Sequence, residues 1–338
     1  MAVKVAINGF GRIGRLVLRA IVESGRSDVE VAAINDLGSV EANAHLLRYD
    51  SVHGRFPGEV HVDGQAITIT HNGRTYGPIT VSAERDPTEV PYQGIDVAME
   101  CTGRFTSKES ASALIQAGAR KVLISAPGDG ADATIVYGVN HHTLTKDMTV
   151  VSNASCTTNC LVPVVKVLHD NFKVVRGYML TIHSYTGDQP SVDTLHKDLH
   201  RARAAAVSMI PTSTGAAKAV GLVMPELKGK LDGSSMRVPT PNVSVVSLDV
   251  MLERTPTKDE INAVMKAASE SGPLKGILGY NTAPLVSADF NHVAFSSTFD
   301  ATQTAVVDDA LVRVLAWYDN EWGFSNRMSD TAALLGSL

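Results

Sequence analysis

Three cysteines in 338 residues, Cys101, Cys156 and Cys160, are an odd number without paired spacing. That pattern excludes a disulfide framework and a zinc site built on thiolates, so no metal is expected and a reducing setting fits. Aromatic side chains make up only 5%, and 30 Lys and Arg are outnumbered by 35 Asp and Glu, a net charge of −5. Such a chain lacks the broad positive field and interleaved aromatics that nucleic acids require, and no specific nucleic-acid partner is expected. Long apolar runs are missing too. Nowhere do about eighteen apolar residues follow one another, and the run from Cys160 to Leu168 is interrupted by Pro163 and Lys166. No membrane partner is expected. The opening MAVKVAINGF reads as a strand and a glycine turn rather than an export signal, so the expected location is cytoplasmic.

What is present is globular. Hydrophobic residues are 44% and charged residues 19%, and the length suits about two domains. From Val3 to about Ser152, short β-branched runs (VKVAIN, VEVAAIND, IDVAMEC, RKVLISAP, MTVVSN) alternate with helical patterns such as RLVLRAIVESG. Continuous apolar strands between helices predict a mostly parallel, doubly covered sheet. His53 to Ser82 breaks the pattern and reads as an inserted hairpin. After Cys156 the grammar changes. VSVVSLDVML sets Val246, Leu248, Val250 and Leu252 on one side and Ser247 and Asp249 on the other, the period of a half-exposed antiparallel strand. The fold class is therefore an α/β domain with a mostly parallel sheet, plus an α+β domain with a mainly antiparallel one. The expected division is residues 1–155 and 156–319, with a C-terminal helix at about 320–338, spaced on Met328, Ala332 and Leu335, packing back on the first. Pro190 to Pro211 is polar, basic and aperiodic, too long for an ordinary connection, and so functional or interfacial.

NGFGRIGR contains Gly9-x-Gly11-x-x-Gly14 between a strand and a helix. The first glycine permits a tight turn, the second lets backbone approach a pyrophosphate, and the third allows close helix–strand packing, while the helix start offers unpaired N–H groups. Asp36 closes the next strand about twenty residues on, where a carboxylate accepts the ribose hydroxyls and repels a 2′-phosphate. NAD is the expected cofactor, and the α/β domain with the mostly parallel sheet is expected to be a Rossmann-type NAD-binding domain.

VSNASCTTNC places Ser155 as the N-cap of a helix with Cys156 in its first turn. There the helix dipole and free N–H groups should stabilise a thiolate and lower its pKa. Cys160, one turn deeper, reads as a buried small hydrophobe. The best-placed base is His183, at the end of the strand YMLTIHS. A strand-end histidine is more often structural than catalytic, so residue types alone leave both readings open. The other ten histidines sit in polar surroundings and read as solvated.

Taken in order, NGFGRIGR, IND, SNASCTTNC, HSYT, PTSTGAAKAVG, MRVPTPNVSVV and WYDNEWGFSNR resemble the phosphorylating glyceraldehyde-3-phosphate dehydrogenase family across essentially the whole chain. The resemblance implies oxidation of glyceraldehyde 3-phosphate with NAD through a thiohemiacetal and a thioester on Cys156, His183 serving as base. Inorganic phosphate would then release 1,3-bisphosphoglycerate. It implies phosphate contacts at Ser155, Thr157, Thr186, Arg201, Thr214, Gly215 and Arg237. Around the dinucleotide it puts Gly9, Phe10, Gly11, Arg12, Ile13, Gly14, Asp36, Arg85, Ser125 and Asn320, the last on the nicotinamide amide. It also implies a homotetramer, with the stretch from Pro190 bordering a neighbouring subunit. Two departures stand out. Thr194-Leu195 replaces the Leu-Pro usual in NAD-using relatives, although Asp36-Leu37 still speaks for NAD, and His200 replaces a common arginine. Erythrose-4-phosphate dehydrogenase, a sister activity on the same cysteine, histidine and fold, is the alternative; intact Thr214-Gly215 favours the phosphorylating enzyme.

Overall fold

A computed structural model describes residues 2–338. The described residues divide into two compact units, one of residues 2–135, 141–154 and 325–338, the other of residues 136–140 and 155–324.

In the first unit, strand β1 (Val3–Asn8) leads through the glycine turn into helix α1 (Arg12–Glu23) and on to strand β2 (Val29–Asn35). α1 buries an unbroken run from Leu16 to Val22. The nine described strands of this sheet begin with seven in parallel pairings, Ala133–Thr134, Val150–Ser152, Lys121–Ile124, Val97–Glu100, β1, β2 and Arg74–Ser82. Val97–Glu100 and Lys121–Ile124 are buried at every residue, as a sheet covered on both faces requires. The expected inserted hairpin is there: Ala66–His71 and Glu59–Asp63 add antiparallel strands at one edge. Met328, Ala332 and Leu335 of the helix Trp322–Ser337 are completely buried. Thr331 in that helix hydrogen-bonds Asn153 at 2.8 Å.

The second unit carries a mainly antiparallel sheet ordered Ile210–Thr212, Leu231–Val238, Val174–Ser184, Ser244–Leu252, Leu311–Tyr318, Ser297–Asp300 and Leu278–Asn281. The alternation expected from Val246 to Leu252 is observed, with those four apolar residues buried and Ser247 and Asp249 only half-buried. Register places the site. His183 stands beside Arg237 and Ile182 beside Val245, while Ser244 faces Tyr318, so four strand ends bring residues from distant segments to one edge. Among the described residues no helix is long and apolar enough to cross a membrane.

Candidate active site and cofactor pocket

In the second unit, Ser155 caps the helix Cys156–Phe172, its side chain accepting the Thr158 N–H. Ser155 Oγ is also 2.7 Å from Thr158 Oγ1. The cap fixes Cys156 in the first turn. Its Sγ lies 3.5 Å from His183 Nε2, so the residue-level ambiguity over His183 ends in a sulfur–imidazole contact. His183 Nδ1 is 2.7 Å from the Ser184 carbonyl, which can only accept, and 3.1 Å from Arg237 Nη1, which can only donate; the shorter carbonyl contact puts the proton on Nδ1 and turns the Nε2 lone pair to the thiol. Arg237 Nη1 donates to the same carbonyl at 2.9 Å and to Thr186 Oγ1 at 3.1 Å. Burial and the Arg237 charge push the imidazolium of His183 down to about 3, which leaves a neutral ring.

The expected depression of the Cys156 pKa is corrected here. Burial pushes the thiol up, against the pull of Arg237 and of the N–H groups of Thr157 and of Cys156 itself. The helix start does contribute, but desolvation of a thiolate is the larger effect. Burial thus disfavours either ion alone. Proton transfer across the 3.5 Å contact leaves the net charge of the pair unchanged, which couples ionisation to attack. Cys160 is completely buried with its thiol pushed up to about 12, a small hydrophobe as read.

Around this pair, Thr186 donates to Asp188, and Asp188 accepts Arg201 Nη1 at 2.6 Å. Arg201 Nε reaches Thr212 Oγ1 at 3.0 Å. Arg237, Thr186, Asp188 and Arg201 therefore form one polar chain, in which Asp188 neutralises charge that an anion would otherwise meet. Thr214 Oγ1 accepts the Ala216 N–H, and Gly215 is the N-cap of the helix Ala216–Val223, exposed and with open space at its α-carbon. Thr157 is buried with its hydroxyl 2.9 Å from Tyr318 OH, which also meets Thr181 Oγ1 at 2.9 Å. Tyr318 sets its ring edge against His183. Sequence reasoning missed Tyr318 and Asp188. The WYDNEW and HSYTGDQ stretches contain them, but only strand register shows what they face. The reading of the remaining histidines as solvated fails at His292, which stacks on Trp322 with ring centroids 3.6 Å apart.

In the first unit, a cavity of about 290 Å³ opens beside the glycine turn, lined by Gly9, Gly11, Asp36, Leu37, Arg85 and Thr102 among others. Each glycine acts differently. Gly9 holds φ +92° and a Cβ there would sit 2.7 Å from the Thr102 nitrogen; at Gly14 a Cβ would meet the Gly9 carbonyl oxygen at 2.2 Å, while at Gly11 it would meet nothing. Gly14 thus seats α1 on β1, and Gly11 leaves the space an approaching ligand would take. Gly11 caps α1 without a side-chain hydrogen bond, so the helix start stays open to an anion. Asp36 accepts the Phe10 N–H at 2.8 Å and the Gly38 N–H at 2.9 Å, which fixes the carboxylate at the cavity wall. These features fit a dinucleotide. Phe10 is buried under the turn, and the Arg12 side chain pairs with Asp50. Ser125 is not on the cavity wall.

Two family models match the chain: the NAD binding domain of glyceraldehyde 3-phosphate dehydrogenase over residues 3–108 and the C-terminal domain of the same enzyme over residues 155–320. Proteins named glyceraldehyde-3-phosphate dehydrogenase are similar along their whole length. The one from Cereibacter sphaeroides is 67% identical and that from Xanthobacter flavus 66%, each over all of both chains. The one from Geobacillus stearothermophilus is 56% identical over all of this chain and 99% of its own.

Proposed function

We propose, for a chain that belongs to the glyceraldehyde-3-phosphate dehydrogenase family and is thereby an NAD-dependent oxidoreductase, a phosphorylating mechanism centred on Cys156. The family implies glyceraldehyde 3-phosphate and inorganic phosphate as its substrates. The observation that carries the mechanism is the Cys156 Sγ to His183 Nε2 contact of 3.5 Å, with the ring neutral and its lone pair on the sulfur side. His183 takes the thiol proton as sulfur attacks the aldehyde carbon, then returns it to the oxyanion to give a thiohemiacetal. The Cys156 N–H and the imidazole would stabilise that oxyanion, at about 3 kcal/mol per donor. NAD, when bound, supplies the hydride acceptor. His183 removes the hydroxyl proton as the carbon is oxidised, which leaves a thioester on Cys156. Phosphate attacks the thioester carbonyl, releasing 1,3-bisphosphoglycerate and the sulfur, which recovers its proton from His183.

In this reading residues 1–155 bind NAD and residues 156–319 carry the covalent chemistry. Ser155, Thr157, Thr186, Arg201, Thr214, Gly215 and Arg237 serve the two phosphates, the guanidinium forks of Arg201 and Arg237 suiting phosphate oxygens. The decisive experiment follows NADH absorbance with glyceraldehyde 3-phosphate, with phosphate supplied or withheld, and repeats it with erythrose 4-phosphate. Sustained turnover on the triose only with phosphate is the expected result. Acyl release indifferent to phosphate would remove the phosphorylating step, and a preference for the tetrose would favour the sister activity.

A further inference from the structure

Where the strands Val174–Ser184, Ser244–Leu252 and Leu311–Tyr318 end together, a buried hydrogen-bond triangle lies beside the catalytic pair and takes no part in the reaction as derived. Ser184 Oγ and Ser244 Oγ each stand 2.9 Å from Asn320 Oδ1. Ser184 N–H donates to Ser244 Oγ at 3.1 Å. All three residues are buried, the serines almost completely, and Asn320 Nδ2 has no hydrogen-bond partner within the described chain.

We propose that Ser184 and Ser244 are positioning residues that lock the Asn320 amide with its oxygen inward, so that it presents only N–H donors to a carbonyl oxygen of the cofactor's nicotinamide carboxamide. This rests on the reading of Asn320 as the nicotinamide contact. The two ends of an amide have the same shape, so its partners decide its orientation. With the oxygen inward, both hydroxyl protons have a common acceptor, and the Ser184 N–H is satisfied by Ser244. Turned the other way, the two hydroxyls would receive N–H donors instead. One hydroxyl proton could then reach only across the 3.5 Å between the serine oxygens, and the other would have no acceptor. An unmade hydrogen bond in so buried a place is the costlier arrangement. Ser184 is also the hub of the site, because its carbonyl receives both His183 Nδ1 and Arg237 Nη1. One residue thereby sets the tautomer of the base and the direction of the amide.

The test is calorimetric titration of the full-length protein with NAD, with ADP-ribose, which lacks nicotinamide, and with the 3-acetylpyridine analogue, which keeps the carbonyl oxygen and loses the amide N–H groups. The wild type should bind the analogue within about twofold of NAD, since no acceptor faces the lost N–H groups. The double variant Ser184→Ala/Ser244→Ala should weaken NAD roughly tenfold and leave ADP-ribose within about twofold. If the double variant does not fold, Ser184→Ala alone, which keeps the Ser244 donor, should show a smaller loss confined to NAD. Asn320→Ala separates the two layers. If it spares the ratio of NAD to ADP-ribose affinity, the nicotinamide contact itself is wrong; if it lowers the ratio while the serine variants keep it, only the lock is wrong. A parallel loss of ADP-ribose affinity in the serine variants also overturns the lock, because it marks general loosening rather than a freed amide.

Discussion

Cys156 differs from the other two cysteines by its neighbour rather than by an unusually acidic thiol. Its sulfur has a neutral imidazole at 3.5 Å, whereas Cys160 is completely enclosed and the Cys101 thiol is pushed far up by burial. Iodoacetamide should therefore alkylate Cys156 first, and faster as pH rises, because a raised thiol pKa leaves little thiolate at neutral pH. Peptide mass spectrometry after partial labelling reads the order; modification of Cys101 or Cys160 ahead of Cys156 would remove the assignment. Cys156→Ser should abolish turnover yet keep NAD affinity by calorimetry. Asp36 makes a separate case. Its carboxylate is held at the cavity wall by Phe10 and Gly38, so Asp36→Gly should relax discrimination against NADP, read as the ratio of KM values for the two cofactors. The Ser155 cap, the first-turn place of Cys156 and the place of Asp36 just after β2 could be read from the sequence because each depends on neighbours within a turn or one strand. Asp188, Tyr318 and Ser184 could not, because their partners arrive by strand register from segments far along the chain.

At the scale of an element, the β1–α1 turn separates packing from binding. Gly14→Ala forces a Cβ to within 2.2 Å of the Gly9 carbonyl, so α1 must shift off the sheet, at a cost on the order of 1–3 kcal/mol. Gly11→Ala meets nothing and its backbone is extended, so its melting temperature should match wild type while NAD binding weakens. Thermal melts beside NAD titrations check both; a Gly11→Ala variant that binds normally would mean the ligand does not approach there. Asp132 ties down another piece of the same unit. It pairs with Lys108 and accepts the Thr149 and Val150 N–H groups at 2.9 and 3.0 Å, which lowers its pKa to about 2. The folded value lies below the unfolded one, near 3.9, so its contribution is present above that value and lost as pH falls through about 2. Asp132→Ala should cost about 1–2 kcal/mol at neutral pH, with the gap from wild type closing in acid, measured by denaturant melts across that range. The alternation of strands and helices announced this unit because parallel strands buried on both faces are apolar throughout. The order of strands in the second sheet had no such local sign, since antiparallel neighbours are chosen by packing between distant segments.

At the scale of the whole molecule, the stretch after Pro190 is where the chain leaves apolar surface in water. Val192, Leu195, Leu199, Val207 and Met209 are 70–100% exposed there, although the stretch as a whole is polar and basic. Single exposed apolar residues need no explanation, but five within one loop of a protein whose net charge is only −5 do. We propose that another copy of the chain covers them in a homotetramer, as the family resemblance implies. The sequence marked this stretch as functional or interfacial through its length and its want of periodicity; its apolar content is diluted among charges and became visible only as exposed side chains. Light scattering should give four times the 35.9 kDa chain mass. Leu195→Asp, at a completely exposed position whose replacement cannot disturb the core, should shift the mass towards smaller species while leaving the melting curve of the dissociated chain cooperative. A wild-type protein that runs as a monomer would overturn the assembly, and a Leu195→Asp variant that stays tetrameric would move the interface elsewhere on the surface.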